Sequence, residues 1–301
     1  MKKRAYFTIG ALIVIALALA ISLQQTGLFQ ESEIDVRDLT YWNYENGVII
    51  GAEEYTLKGS NETCWILIHG YTSTPTEMEL LAKAVNKEFN DFVYAPRLKG
   101  HGEVPSHVLE ENISTWYKQI EEIYLDLNKS CGKINVAGSS IGGALALKLA
   151  TEHELKNIYL VNPFLYTVYK FYRGLPSKTY IRLFGGITKY NKKTQVAQIN
   201  DPAGLEVHIA YWNMPYVPMK NSFDYINDLM NNLGEIEEAI LIQHSINDKT
   251  AGKTTVMRIQ EEAGSDEIEV VWFEKSNHVL LRDYDKEQVI NNIIEFEKSH
   301  R

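Results

Sequence analysis

Residues 134–143, Ile134-Asn135-Val136-Ala137-Gly138-Ser139-Ser140-Ile141-Gly142-Gly143, decide how the rest of the chain is read. A short apolar run leads into Gly-x-Ser-x-Gly, and an apolar helix pattern, Ala144-Leu145-Ala146-Leu147, follows at once. Strand, sharp turn and helix in that order are the setting that lifts a serine out above the carboxyl edge of a sheet. Gly138 and Gly142 would keep the flanks of the turn clear of side chains, so the backbone can fold tightly and a substrate carbonyl can approach. The helix beginning there would aim unpaired N–H groups at the point where negative charge develops. Five residues alone also fit an ordinary Gly/Ser turn, so the flanks carry the argument. Ser140 is the expected nucleophile, and Ser139 only its neighbour.

Outward from this elbow the chain alternates apolar strands with amphipathic helices. Residues 64–68, 92–96, 157–161, 239–244 and 268–273 read as short strands, several of them continuously apolar as in a sheet covered on both faces. Residues 48–57 are also strand-like, with a turn expected at 58–61. Helix periodicity runs through 76–89, 113–127 and the closing 288–296. This alternation predicts an α/β fold, a mostly parallel central sheet with helices on both faces. Between about 164 and 234 the rhythm breaks. That segment is rich in aromatic residues (Phe164, Tyr166, Tyr169, Phe171, Tyr172, Tyr180, Phe184, Tyr211, Trp212, Tyr216) and carries no clear buried strand. It is expected to be an inserted, largely helical cap over the reactive edge, lining an apolar acyl or alcohol pocket. Many of these rings serve equally well as core of the extra helices.

A serine hydroxyl reacts near neutral pH only when a base takes its proton, and imidazole is the usual base. A carboxylate then fixes the tautomer of that imidazole. In a strand–elbow–helix architecture the acid comes next in the chain and the histidine last. Asp248 follows the strand 239–244, and His278 follows the strand 268–273, so both fall at the sheet edge that carries Ser140. Ser140, Asp248 and His278 are therefore the expected nucleophile, acid and base. The oxyanion donors should be the backbone N–H groups of Ile141 and, from the His69-Gly70-Tyr71 loop, Tyr71. His69 reads as a loop-shaping residue, His101 lies at the same edge but upstream of the serine, so chain order disfavours it as base, and His244 reads as core or as a neighbour of the site. Asp224 and Asp228 lie in the cap and are poorer acids for this purpose.

A formal charge of -9 argues against nucleic acid as a partner, since phosphate contacts need clustered Lys and Arg. The N-terminus differs from everything after it. Lys2, Lys3 and Arg4 precede an uncharged apolar run at 5–23, long enough for a membrane-spanning helix whose downstream chain would lie outside the cytoplasm. Ala18-Leu19-Ala20 also has the form of a signal-cleavage site, so residues 1–23 read as an anchor or as a removable signal. Residues 24–37 then read as a linker and 38–301 as the folded domain. Cys64 and Cys131 each precede an apolar strand. If those strands are neighbours, the thiols lie within reach of a disulfide, which export would permit; two unpaired buried thiols are the alternative.

Ile68-His69-Gly70-Tyr71-Thr72-Ser73, Lys99-Gly100-His101-Gly102, Gly138-Ser139-Ser140-Ile141-Gly142, Asn247-Asp248 and Ser276-Asn277-His278 together resemble the α/β-hydrolase superfamily. Within it they resemble bacterial carboxylesterases and monoacylglycerol lipases with a small helical cap, over a stretch from about Val48 to the C-terminus. The resemblance implies an α/β-hydrolase fold and hydrolysis of short- to medium-chain carboxylic esters or monoacylglycerols, with no metal or cofactor. A peptidase, thioesterase or acyltransferase using the same residues is the alternative, and a non-catalytic lipid- or partner-binding fold a further one.

Overall fold

The computed structural model describes residues 33–168, 171, 172 and 174–301, with residues 10, 13–15, 17 and 18 of the N-terminal run. Seven strands form the central sheet. They are β1 (Tyr55–Leu57), β2 (Ser60–Ile68), β3 (Asp91–Ala95), β4 (Lys133–Ser139), β5 (Asn157–Val161), β6 (Ala239–Ser245) and β7 (Ile268–Phe273). Their spatial order is β7-β6-β5-β4-β2-β3-β1, and only the edge strand β1 runs antiparallel to its neighbour. The alternation of side chains along β2 explains the two layers of helices. Cys64, Ile66 and Ile68 point to one face, and Trp65 and Leu67 to the other, all of them fully buried. Each such side chain contributes about 1.5–3 kcal/mol when it is removed from water.

Helices α1 (Glu79–Phe89), α2 (Ile113–Leu127), α3 (Ile141–Ala150), α4 (Ser177–Phe184), α5 (Tyr216–Met230), α6 (Thr254–Glu262) and α7 (Lys286–Ser299) sort by face. The apolar sides of α2, α3 and α6 pack on the Ile66 face, together with Tyr180, Phe223 and Ile226 from α4 and α5. Those of α1 and α7 pack on the Trp65 face. α2 begins where the sequence can stop its own fraying: Asn112 accepts from the N–H groups of Ser114 and Thr115, and the Thr115 hydroxyl accepts from Asn112 N–H. At the far end of the sheet Glu297 of α7 is fully buried and accepts from Asn135, Asn157 and Tyr159 while pairing with Lys156, which bolts the last helix under β4 and β5.

The structure departs from the sequence reading in particular places. Residues 48–57 are not one strand: Tyr44–Glu45 pairs with Val48–Ile49 in a small hairpin, and β1 starts only at Tyr55. The turn expected at 58–61 is shorter, because β2 already begins at Ser60. Between β5 and β6 the chain carries α4, α5, a short helix Pro202–Val207 and two antiparallel strand pairs, Phe171–Tyr172 with Leu175–Pro176 and Tyr190–Lys192 with Asn213–Pro215. Two-residue and three-residue strands give no readable alternation, so periodicity could not signal them. A helix at Val36–Thr40 starts inside the stretch expected as linker. Its Asp38 is fully buried and accepts from Trp212 N–H, Asn213 N–H and the Asn213 side-chain amide, which fastens this helix to the Tyr190–Lys192 hairpin. Among the described residues no helix is long and apolar enough to cross a membrane, and most of the run at 5–23 lies outside them.

Cys64 and Cys131 form a disulfide with Cα atoms 6.0 Å apart, as the adjacency of β2 and β4 allows. It closes a loop of 67 residues. Loop-closure entropy puts its contribution at about 4 kcal/mol, so Cys64→Ala/Cys131→Ala should lose about 2–4 kcal/mol in urea unfolding. An unchanged midpoint would contradict a stabilising bridge.

Candidate active site

Ser140 sits at the point where β4 ends and α3 begins, with φ at 53° and ψ at -116°. A non-glycine residue held there is strained by roughly 1–3 kcal/mol and persists only where its surroundings dictate it. Here they do. Ser140 N–H donates to Val161 O at 3.0 Å, and Ser140 O accepts from Gly143 N–H and from Phe164 N–H, each at 3.0 Å. The glycines on either side are required by close approach: a Cβ at Gly138 would lie 2.2 Å from Gly142 O, and one at Gly142 would lie 2.2 Å from Ile68 O.

The loops after β6 and β7 bring the other two expected residues to this apex. His278 Nε2 lies 2.9 Å from Ser140 Oγ, and His278 Nδ1 lies 2.7 Å from Asp248 Oδ2. Asp248 also accepts at Oδ1 from Thr250 N–H (2.6 Å) and Ala251 N–H (2.9 Å). Burial pushes its carboxyl up, but the charge and hydrogen bond of His278 and the Thr250 N–H outweigh it, and the net direction is down. Asp248 is thus an ionised acceptor, which assigns the proton of neutral His278 to Nδ1 and leaves Nε2 to accept from the serine hydroxyl.

The loop that carries His278 is held by residues the sequence reading did not single out. Asn162, in the left-handed region with φ at 43°, donates its side-chain amide to Asn277 O and His278 O and accepts from Ser245 N–H. It therefore ties the ends of β5 and β6 to the histidine loop. Asp283 accepts from Asn277 N–H, and Asp285 accepts from both the N–H and the hydroxyl of Ser276. An Asn-Pro pair at a strand end reads as a turn, so nothing short of the tertiary contacts could have marked Asn162.

Tyr71 and Ile141 line the cavity over Ser140, and among the described residues neither backbone N–H has a protein acceptor. Gly70 leaves room for this approach, since a Cβ there would stand 3.2 Å from the Ser140 Cβ. Among the described residues none of the competing histidines hydrogen-bonds Ser140 or Asp248. His69 Nδ1 donates to Gly70 O and its Nε2 accepts from Leu98 N–H, and burial pulls the ring down to about 4. His101 is wedged among the rings of His69, Tyr71 and Trp116, where burial keeps it neutral. His244 lies inside β6 with its edge toward Trp272, and burial lowers it to about 4. Asp224 pairs with Arg182 on the surface, and Asp228 is exposed on the same helix.

A cavity of about 110 Å³ opens over Ser140, and a second of about 290 Å³ continues under α4 and α5. Phe164, Met214 and Met219 border both, and Tyr180, Tyr216 and Phe223 line the further one. Of the expected aromatics, Tyr211 is not a lining residue: its hydroxyl donates to Gly100 O and accepts from Glu103 N–H. Trp212 packs under the Arg37 guanidinium instead. Tyr169 and the side chains of Phe171 and Tyr172 lie outside the described residues.

The chamber over Ser140 also has a polar wall that was not anticipated, made of Glu77, Lys193 and His208. Glu77 precedes α1 in a short 3-10 turn, is almost fully buried, and accepts from Gly70 N–H at 3.1 Å. Burial holds His208 down to about 4. Glu121, Glu152 and His153 could in principle offer a metal three ligand atoms, but they sit on the surface, where Glu152 is already engaged by Tyr117 and Lys148. Replacing Asn162 by Ala would remove the hydrogen bonds that Ser245 N–H, Asn277 O and His278 O make with its side chain. Urea unfolding should show a loss of about 2–3 kcal/mol, and an unchanged midpoint would remove Asn162 from its tying role.

The family described as serine aminopeptidase, S33 (Hydrolase_4) matches residues 59–285. The chain is 24% identical over 251 residues to a carboxylesterase of Bacillus subtilis (strain 168), across 82% of this chain and 97% of that one. It is 28% identical over 254 residues to a thermostable monoacylglycerol lipase of Bacillus sp. (strain H-257), across 84% and 97%. A solved structure of a metagenome-derived lipolytic enzyme superposes with a TM-score of 0.75 at 25% identity, covering 84% of this chain and 100% of that one. The monoacylglycerol lipase of Paleococcus ferrophilus, at 18% identity and a TM-score of 0.67 over 82% and 98%, shares the fold. A seven-stranded, mostly parallel sheet, a serine elbow and a match spanning most of the chain give one conclusion: this protein belongs to the Hydrolase_4 family of α/β-hydrolases and is a hydrolytic enzyme.

Proposed function

We propose that this enzyme hydrolyses short- to medium-chain carboxylic esters or monoacylglycerols through an acyl-enzyme on Ser140. The observation that carries the reading is the unbroken hydrogen-bonded line from Ser140 Oγ through His278 to Asp248, at 2.9 and 2.7 Å. In the proposed cycle His278 Nε2 takes the hydroxyl proton as Ser140 Oγ attacks the ester carbon. The carbonyl oxygen becomes an oxyanion that accepts from the N–H groups of Tyr71 and Ile141. Collapse expels the alcohol, which receives its proton from His278, and water repeats the sequence to release the acid. Asp248 keeps the ring in the required tautomer and stabilises it while it is charged. The apolar walls contributed by Phe164, Met214, Met219 and Phe223 suit an acyl chain.

An aminopeptidase is the second reading. The family description and the Glu77 carboxylate in the chamber favour it, since a free α-amino group would need such a counter-charge. Residues 5–23 and the basic residues before them support a further proposal, a membrane tether with the enzyme on the extracytoplasmic side, or secretion if the segment is cleaved. The Cys64–Cys131 disulfide agrees with an oxidising compartment.

A fluorophosphonate probe should label Ser140, and para-nitrophenyl butyrate should turn over far faster than aminoacyl para-nitroanilides. The opposite preference would favour the peptidase. Ser140→Ala should lower ester turnover by about 10⁴- to 10⁶-fold with the circular dichroism unchanged, and retained turnover overturns the assignment. Because His278 must be neutral to act as base, kcat/KM should fall as acid protonates it; a flat acid limb speaks against that role. N-terminal sequencing of protein from the membrane fraction distinguishes a retained tether from a cleaved signal, and recovery only in the cytosol contradicts both.

A further inference from the structure

The loop 69–74, which supplies the Tyr71 N–H, belongs to no strand or helix until Pro75. Within it Thr72 has φ at 68°, a left-handed conformation that a β-branched residue adopts only under constraint. The constraint comes from the segment between β5 and β6. Lys193 Nζ donates to Thr72 Oγ1 at 3.0 Å and to Val196 O at 2.6 Å. Tyr211 N–H donates to Thr72 O, the Tyr71 hydroxyl donates to Pro215 O, and the Thr74 hydroxyl donates to Ile209 O. Lys193 directly follows the hairpin strand Tyr190–Lys192, and the partner strand Asn213–Pro215 is the one fastened by Asp38.

We propose that Lys193 is a positioning residue for the reaction at Ser140: its ammonium fixes Thr72 and thereby aims the neighbouring Tyr71 N–H at the oxyanion. This rests on the acyl-transfer reading above. Two further observations support it. The ammonium borders the chamber over Ser140, and among the described residues no carboxylate lies within ion-pair distance of it. A half-buried cation without a paired carboxylate is costly, and one beside a reacting oxyanion also favours the charge that develops there. Only Asp38 among the nearby acids acts on it appreciably, and that carboxyl is already taken by Trp212 and Asn213.

Burial pulls Lys193 down to about 8, against the opposing charge of Asp38, so it is cationic below that pH and neutral above it. The groups facing this region are Asp38 and Arg37 from the N-terminal helix, His208 and Glu77 from the chamber wall, and the phenols of Tyr71 and Tyr190. Burial keeps His208 neutral and both phenols protonated there, which leaves Lys193 as the member of the set that changes charge near pH 8.

The test uses the full chain with para-nitrophenyl butyrate and follows kcat and KM separately across pH. The parent enzyme should lose kcat as pH rises through about 8. Lys193→Met should lower kcat at neutral pH by about 10- to 100-fold with KM within about threefold, and it should lack the alkaline limb. Lys193→Arg should keep more of the rate and move that limb upward. Thr72→Val should lower kcat to a similar degree, and the double variant should be no worse than Lys193→Met alone, because both remove one interaction. If Lys193→Met does not fold by circular dichroism, Thr72→Val carries the same expectation. A Lys193→Met enzyme with kcat within about twofold of the parent, or with the alkaline limb intact, overturns the proposal. The parent's labelling by fluorophosphonate separates the two failures: an unlabelled parent sinks the acyl-transfer reading, whereas a labelled parent with an indifferent Lys193→Met sinks this inference alone.

Discussion

The backbone of Ser140 is forced into a left-handed conformation at the end of a buried strand, and much of the fold can be understood as what holds it there. Gly138 and Gly142 let the turn close to within 2.2 Å of where a Cβ would stand. The sheet then fixes it from the side, through the hydrogen bond from Ser140 N–H to Val161 O on β5. Because β5, β6 and β7 run parallel to β4, the loops at their carboxyl ends emerge on the same rim. Asp248 and His278 reach the serine for that topological reason, with Asn162 and Asp283 holding the histidine loop.

The segment between β5 and β6 does two jobs at once. Its apolar side chains extend the cavity over Ser140 into a second chamber. Its polar contacts, from Lys193, Ile209, Tyr211 and Pro215, hold the loop that contains Tyr71. A shift of this segment would therefore change both the size of the pocket and the placement of the Tyr71 loop. The Asp38 carboxylate extends the same chain of contacts to the N-terminal helix, so the region next to the proposed tether is mechanically continuous with the site.

The central sheet was legible because its strands are continuous apolar runs with turns at fixed places, and the chain order of Ser140, Asp248 and His278 follows from that sheet. The structure brings these three together as the order implies. The limits are equally physical. Residues 48–57 looked like one strand because apolar content was read without the pairing partner, and that stretch is split between a hairpin and β1. Glu77 is buried in a 3-10 turn just before a helix, where helix periodicity does not report which way a side chain faces. Lys193, His208 and Asn162 act through partners far away in sequence, and no local pattern encodes such contacts. For Cys64 and Cys131 the spacing allowed either a bridge or two thiols, and only the adjacency of β2 and β4 decides for the bridge.

Whether a bond forms between Ser140 and the substrate acyl group is the question on which the chemistry turns. Rapid-quench peptide mapping by mass spectrometry, with para-nitrophenyl butyrate in the pre-steady state, addresses it directly. A butyryl group on the peptide containing Ser140, appearing with the first release of para-nitrophenol and lost as turnover proceeds, is the expected result. Full turnover with the acyl group on another residue, or with no acylated protein at any quench time, would contradict it.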